Sequence, residues 1–173
     1  FLRDLIRTER RSLDLEEQLT RRGRMPTGQF VAAVDGEGSR APTVLLVEDD
    51  LALADDLTAE LQRGGVTVFA YEDGEEAVAG ATTLGRDGHV VDLALVTVRL
   101  PGIDGLETVR QLRRALPGLP AFLMTSEHDP DDAAHAADLG VVGYVYKPFA
   151  DPKNIYGHIR SLAVEAMERG RGD

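Results

Sequence analysis

Cysteine is absent from all 173 residues, which removes disulfides, thiolate nucleophiles and the usual structural zinc sites in one step. A basic surplus is missing as well. The chain carries 19 Lys and Arg against 30 Asp and Glu, a net charge of −11, so it offers no surface suited to sequence-independent gripping of phosphates, and no direct nucleic-acid partner is expected. No stretch approaches the roughly 18–20 apolar residues of a membrane span, nor is there a basic segment leading into the short apolar core of a secretory leader. No membrane partner is expected either. A phosphate-binding glycine loop with lysine, a metalloprotease helix and a catalytic triad are all lacking, so the chain does not read as an enzyme. What is present is 43% apolar and 28% charged, the mixture of a globular protein with a normal core, expected in the cytoplasm. The length fits one domain with an appendage. The first residue is Phe1 rather than Met, as expected of a fragment or of a chain with an unseen leader.

The charge is unevenly placed. Residues 1–42 hold eight Arg against seven Asp or Glu, and the rest holds 11 basic against 23 acidic residues. Leu2, Leu5, Ile6, Leu13 and Leu19 fall on one side of a helix reaching about Arg22. Gly23, Pro26 and Gly28 break it, Gln29–Val34 suits a short extended piece, and Asp35–Pro42 reads as a flexible linker. This predicts an N-terminal helix plus linker over 1–42 and a globular domain over 43–173.

From Thr43 onward short apolar runs alternate with helix-period segments. Strands are expected at Thr43–Val47, Val66–Tyr71, Asp92–Val98, Ala121–Thr125 and Val142–Tyr146, most of them apolar without alternation, as suits strands covered on both faces. Helices are expected from Asp50, a cap, to Arg63; over Gly74–Leu84; over Gly105–Leu116, capped by Asp104; from Asp131 to Leu139; and over Pro152–Arg169. Gly64-Gly65 and Pro117-Gly118 supply stops. Five strands alternating with five helices make an α/β doubly wound fold with a parallel sheet, because each crossover must be right-handed.

In such sheets ligands collect at the carboxyl ends of the strands. Strand one ends in Glu48-Asp49-Asp50, strand three at Thr97 followed by Arg99-Leu-Pro-Gly-Ile-Asp-Gly, strand four in Thr125-Ser126, and strand five in Lys147-Pro148-Phe149. Carboxylates at that density suit Mg²⁺, and a lysine with a hydroxyl suits an anionic phosphoryl group.

Four segments, Val44-Leu-Leu-Val-Glu-Asp-Asp, Arg99-Leu-Pro-Gly-Ile-Asp-Gly, Met124-Thr-Ser and Gly143-Tyr-Val-Tyr-Lys-Pro-Phe, resemble the CheY-like receiver domain of bacterial response regulators in order and spacing over residues 43–165. The resemblance implies strand order 2-1-3-4-5 and a cis Lys147–Pro148 bond. It also implies roles. Glu48 and Asp49 correspond to the acidic pair that holds Mg²⁺, Lys147 to the lysine on the phosphoryl group, Thr125 to the switch hydroxyl and Tyr144 to the coupled aromatic. Asp104 stands where the family opens the helix after strand three.

The departure from the family falls at its centre. The phosphoacceptor aspartate aligns with Thr97, and a shift of one residue offers only Val96 or Val98. Threonine cannot form an acyl phosphate, and its hydroxyl needs a base to act as a nucleophile. Nucleophile and one negative metal ligand are lost together, so Mg²⁺ is expected to bind weakly if at all, and the chain reads as a degenerate receiver, a pseudo-receiver.

Each residue also has a plainer reading. Glu48 and Asp49 can cap the first helix of the domain and complement its dipole; Lys147 can pair with Asp49 across the emptied site; Thr125 can be an ordinary buried hydroxyl and Tyr144 a fixed core aromatic. Thr97, at a buried strand end, is a poor kinase substrate, and the four histidines show no ligand spacing and are expected at the surface. Three functions follow from the resemblance. The first is a phosphorylation-independent interaction module that meets a protein partner or a second copy. The surfaces expected for this are the helix 4–strand 5–helix 5 face, where Ala133, Ala134, Ala136 and Ala137 are low in profile, and the N-terminal helix. The second is a rim that senses a small anion, and the third a phosphorelay receiver with an atypical acceptor.

Overall fold

The computed structural model describes residues 40–171; the helix and extended piece expected within residues 1–34 lie outside the described residues. Ten elements follow one another: β1 (Thr43–Val47), α1 (Leu51–Arg63), β2 (Thr67–Tyr71), α2 (Gly74–Arg86), β3 (Leu93–Thr97), α3 (Gly105–Ala115), β4 (Ala121–Thr125), α4 (Pro130–Asp138), β5 (Gly143–Tyr146) and α5 (Pro152–Arg171). The strands form one parallel sheet in the order β2-β1-β3-β4-β5. Every strand and helix expected from Thr43 onward is present, with ends displaced by a residue or two.

Alternation within each apolar run divides the core into two layers. Leu45, Val47, Ala94, Val96 and Leu123 face α2, α3 and α4, meeting Ala77, Ala81, Val109, Leu112 and Ala136. Val44, Leu46, Leu93, Leu95, Phe122 and Met124 face α1 and α5, meeting Leu57, Leu61, Ile159 and Ala163. β1, β3 and β4 are buried along their whole length, whereas the edge strand β5 is half-buried and ends exposed at Tyr146. Ala136 belongs to the core, so only Ala133, Ala134 and Ala137 of the four alanines expected on the outer face lie there.

The helices start where aspartates satisfy free N–H groups. Asp50 accepts from Leu53 N–H at 3.2 Å, Asp73 from Glu76 N–H at 2.8 Å and Asp104 from Glu107 N–H at 2.8 Å. After α1 the chain turns through Gly65 at φ 82°, a conformation open to glycine at little cost.

The stretch expected to be a loose linker is tied down at its described end. Arg40 grips Asp92 with two hydrogen bonds of 2.6 and 2.7 Å, and Asp92, buried just before β3, also accepts from Thr43 N–H at 2.7 Å. The Pro42 carbonyl accepts from Thr67 N–H at 2.8 Å. Asp92→Ala orphans the buried Thr43 N–H, so a loss of about 2 kcal/mol in stability is expected. A lower urea midpoint reads it out, and an unchanged one would mean that this clamp contributes nothing.

Candidate functional site

The register of β1 on β3 pairs Val47 with Val96, which carries Glu48 up beside Thr97 at the carboxyl rim. The register of β4 on β5 pairs Thr125 with Tyr146, and Lys147 N–H donates to the Thr125 carbonyl at 2.7 Å. Parallel strands of equal height thereby bring residues 48, 97, 125 and 147 to one place. The Lys147–Pro148 peptide is cis, as the resemblance implied.

Three of these side chains form a closed triad. Thr97 Oγ1 donates to Glu48 Oε2 at 2.5 Å. Lys147 Nζ donates to the same carboxylate oxygen at 2.8 Å and to Thr97 Oγ1 at 3.2 Å. The other carboxylate oxygen, Oε1, accepts from Asp50 N–H at 3.0 Å. Glu48 is 1% exposed and Thr97 3%, so this carboxylate sits away from water with its charge matched by one ammonium and its oxygens occupied. The lysine therefore pairs with Glu48, and not with Asp49 as one reading of the sequence expected. Beyond the end of β1 the chain bends at Asp49, and Glu48 is buried while Asp49 is exposed.

Mg²⁺ prefers several oxygens around an octahedron and keeps its waters. The buried carboxylate here, Glu48, is already neutralised by Lys147, while the position opposite holds a neutral hydroxyl. Among the described residues no group of three or more His, Asp or Glu side chains is placed to hold a metal. The donor set does not fit the cation that the resemblance assigns to Glu48 and Asp49.

Below the triad, α3 begins directly against the end of β3. Gly105 N–H donates to the Val98 carbonyl at 2.7 Å. A Cβ on Gly105 would stand 2.2 Å from the Thr97 carbonyl oxygen and 2.8 Å from Val98 Cα. Glycine is required by this approach of two backbones.

Thr125 is fully buried, and its hydroxyl oxygen accepts from Glu127 N–H at 3.2 Å. Tyr144 leans its half-buried ring on the layer with α2, α3 and α4, and its buried hydroxyl has no hydrogen-bond partner. Thr125 is its neighbour without hydrogen-bond geometry between them. Burial, with Tyr146 and Asp132 nearby, pushes the Tyr144 phenol above its usual range. Asp104 is the helix cap that it was expected to be.

Two arrangements at the rim escaped the sequence reading. Arg99, on the loop after β3, meets Glu127 and Asp129 at 3.1 Å each and Asp132 of α4 at 2.7 Å. The His128 ring stacks on Tyr146 with centroids 3.7 Å apart and planes 13° apart, and Tyr144 stands edge-on to Tyr146 at 5.6 Å. The partners of Arg99 lie about thirty residues further along the chain, and no local spacing signals them. His128, His135 and His158 are exposed as expected, while His89 is half-buried.

The family described as "Response regulator receiver domain" matches residues 44–160. The chain belongs to the response regulator receiver family. This receiver domain is 34% identical over 120 residues to the transcriptional regulatory protein CreB of Escherichia coli, covering 69% of this chain and 50% of that protein. It is 30% identical over 119 residues to the alkaline phosphatase synthesis transcriptional regulatory protein PhoP of Bacillus subtilis, covering 69% and 47%. The chain thus spans about half the length of these curated relatives. Among solved structures it is similar to the signal receiver domain of a modulated diguanylate cyclase from Desulfovibrio desulfuricans, with 31% identity, a TM-score of 0.63 and coverage of 76% of this chain and 97% of that one. A CheY-like receiver domain from Methanospirillum hungatei shares the fold, with a TM-score of 0.65, 22% identity and coverage of 75% and 98%. Receivers of this family are modules of two-component signal transduction. No helix among the described residues is long and apolar enough to cross a membrane.

Proposed function

We propose that this receiver is a pseudo-receiver, a cytoplasmic interaction or regulatory module that works without being phosphorylated. The observation that carries the reading is the triad. The hydroxyl of Thr97 occupies the acceptor position and donates to Glu48, and Lys147 bridges both. A hydroxyl that donates to a carboxylate already neutralised by an ammonium is poorly placed to be activated, because its base is engaged with a cation. An anion-sensing rim is the weaker reading, since the lysine that would greet an anion is already paired. Asp104 serves as a cap, which leaves it little freedom to act as a substitute acceptor.

The surface offered to a partner is the α4–β5–α5 face. It presents Ala133, Ala134 and Ala137 beside Val142 and Tyr146, two large apolar side chains 41% and 40% exposed. The occupant proposed is a protein, a second copy of the chain included, with the segment 1–42 as a further contact.

Incubation with acetyl phosphate and Mg²⁺, followed by intact mass measurement and a two-dimensional amide spectrum, tests the proposal. The expected result is an unchanged mass and an unmoved spectrum. The addition of one phosphoryl group would overturn it and return the domain to phosphotransfer chemistry.

A further inference from the structure

Arg99 is one cation set among more negative charge than it can balance. Its guanidinium reaches Glu127 and Asp129 on the β4–α4 loop and Asp132 in the first turn of α4. These three carboxylates differ in surroundings. The side chains of Glu127 and Asp129 are 62% and 40% exposed, and that of Asp132 is 9% exposed. Water screens the first two and barely reaches the third. Asp132 Oδ2 is buried and, although 2.7 Å from the guanidinium, lies outside hydrogen-bond geometry.

The groups that face Asp132 come from four segments. Arg99 belongs to the β3–α3 loop, Asp104 to the cap of α3, Glu127 and Asp129 to the β4–α4 loop, and Tyr144 to β5. Three carboxylates, Glu127, Asp129 and Asp132, meet a single guanidinium, and Asp104 acts on Asp132 from beside them. Burial holds the Asp132 carboxyl above its ordinary range; Arg99 pulls it down, and Asp129, Asp104 and Glu127 push it up. The neutral acid also brings an O–H donor into a neighbourhood where the buried Tyr144 hydroxyl lacks a hydrogen-bond partner.

We propose that this cluster is a proton-operated latch on α4, in which Arg99 pins the first turn of the helix to the β3–α3 loop while Asp132 is charged, and uptake of one proton at Asp132 releases it. The proton comes from solvent and stays on the carboxyl. Arg99 keeps its charge, Glu127 and Asp129, the cap of α4, so the tie to the first turn is lost while the cap stays held. The latch joins the loop that follows Thr97 to the α4–β5 face without a phosphoryl group.

The sign of the pH dependence follows from the raised carboxyl. The folded chain takes up this proton more readily than the unfolded one, so the Asp132 contribution to stability grows as pH falls through the folded value and is complete below the unfolded value. Acid therefore loosens α4 without unfolding the domain through this residue. A pair kept for position at a cost in stability behaves in this way.

Amide and Tyr144 signals of the full chain, followed by two-dimensional spectra from neutral pH into acid, test the proposal. The first turn of α4 and Tyr144 are expected to titrate together, with a midpoint above the roughly 3.9 of a free Asp. Arg99→Gln removes the cation that favours the charged form and should move that midpoint higher. Asp132→Asn should abolish the transition, hold α4 in its low-pH position at neutral pH and leave the urea midpoint no lower than that of the wild type. A titration confined to Asp132 while the α4 amides stay still would overturn the latch, as would an Arg99→Gln midpoint that is unchanged or lower. If Asp132→Asn does not fold, the pair stabilises the domain instead of positioning α4, and the proposal falls.

Discussion

Lys147→Met is expected to destabilise the domain by about 3–5 kcal/mol, the range seen when one partner of a buried ion pair is removed. The methionine keeps the length of the stem and deletes only the ammonium, so packing is nearly conserved and the effect reports charge. Glu48 has a fully buried side chain and Lys147 is 13% exposed. Without the ammonium, a carboxylate that no solvent reaches keeps the Thr97 hydroxyl and the Asp50 N–H but loses its counter-ion. Equilibrium urea unfolding measures the loss. Combining Lys147→Met with Glu48→Gln should recover most of it, because the charge that needed the lysine is gone, and a double-mutant cycle isolates the coupling. If Lys147→Met unfolds at the wild-type midpoint, the lysine is not the internal counter-ion of the rim, and the support for a phosphorylation-independent receiver is gone.

Gly105→Ala should be about as damaging, costing about 3 kcal/mol or more, at or beyond the upper end of ordinary overpacking. The conflict lies with the main chain at the end of β3, at 2.2 Å from the Thr97 carbonyl oxygen and 2.8 Å from Val98 Cα. Neither atom can swing aside as the tip of a side chain would. Either α3 lifts from the sheet or β3 shifts, and a shift of β3 moves Thr97 away from Glu48. The variant is expected to show a lower thermal midpoint together with moved amide signals at Thr97, Glu48 and Lys147. An alanine accepted with wild-type stability would mean that the close approach of α3 to β3 is not fixed. Gly80→Ala is a useful contrast. A Cβ there would meet the outer end of the Tyr71 ring rather than a main-chain atom, so a smaller loss is expected.

The layers of this fold are legible in its sequence because five apolar runs alternate with five helix-period segments, and parity within each run assigns alternate residues to opposite faces. The alignment of Glu48, Thr97, Thr125 and Lys147 on one rim follows from the same reading, since parallel strands of similar length end at similar heights. The identity of the lysine's partner does not follow. Glu48 and Asp49 are adjacent acids at the end of a strand buried on both faces, and composition cannot say which side faces inward. Asp132 is harder still. It shares the inward stripe of α4 with Ala136, a place where amphipathic patterning expects an apolar residue, and its charge is held by an arginine from another loop. Patterns of periodicity describe one segment at a time, whereas the Arg99 cluster draws on three. The docked end of the linker is similar, because Arg40 and Asp92 lie 52 residues apart.

The grip of Arg40 on Asp92 fixes where the preceding chain joins the sheet. Asp92 lies at the amino end of β3 and Thr97 at its carboxyl end, so the point of entry and the rim are separated by the length of a five-residue strand, roughly 16 Å at 3.3 Å per residue. The described chain therefore enters the fold at the pole opposite Glu48, Thr97 and Lys147. A molecule seated at the rim would meet the domain a full strand length away from the point where the chain enters it. The amino end of β3 is anchored through Asp92 by Arg40, and its carboxyl end through Thr97 by the triad.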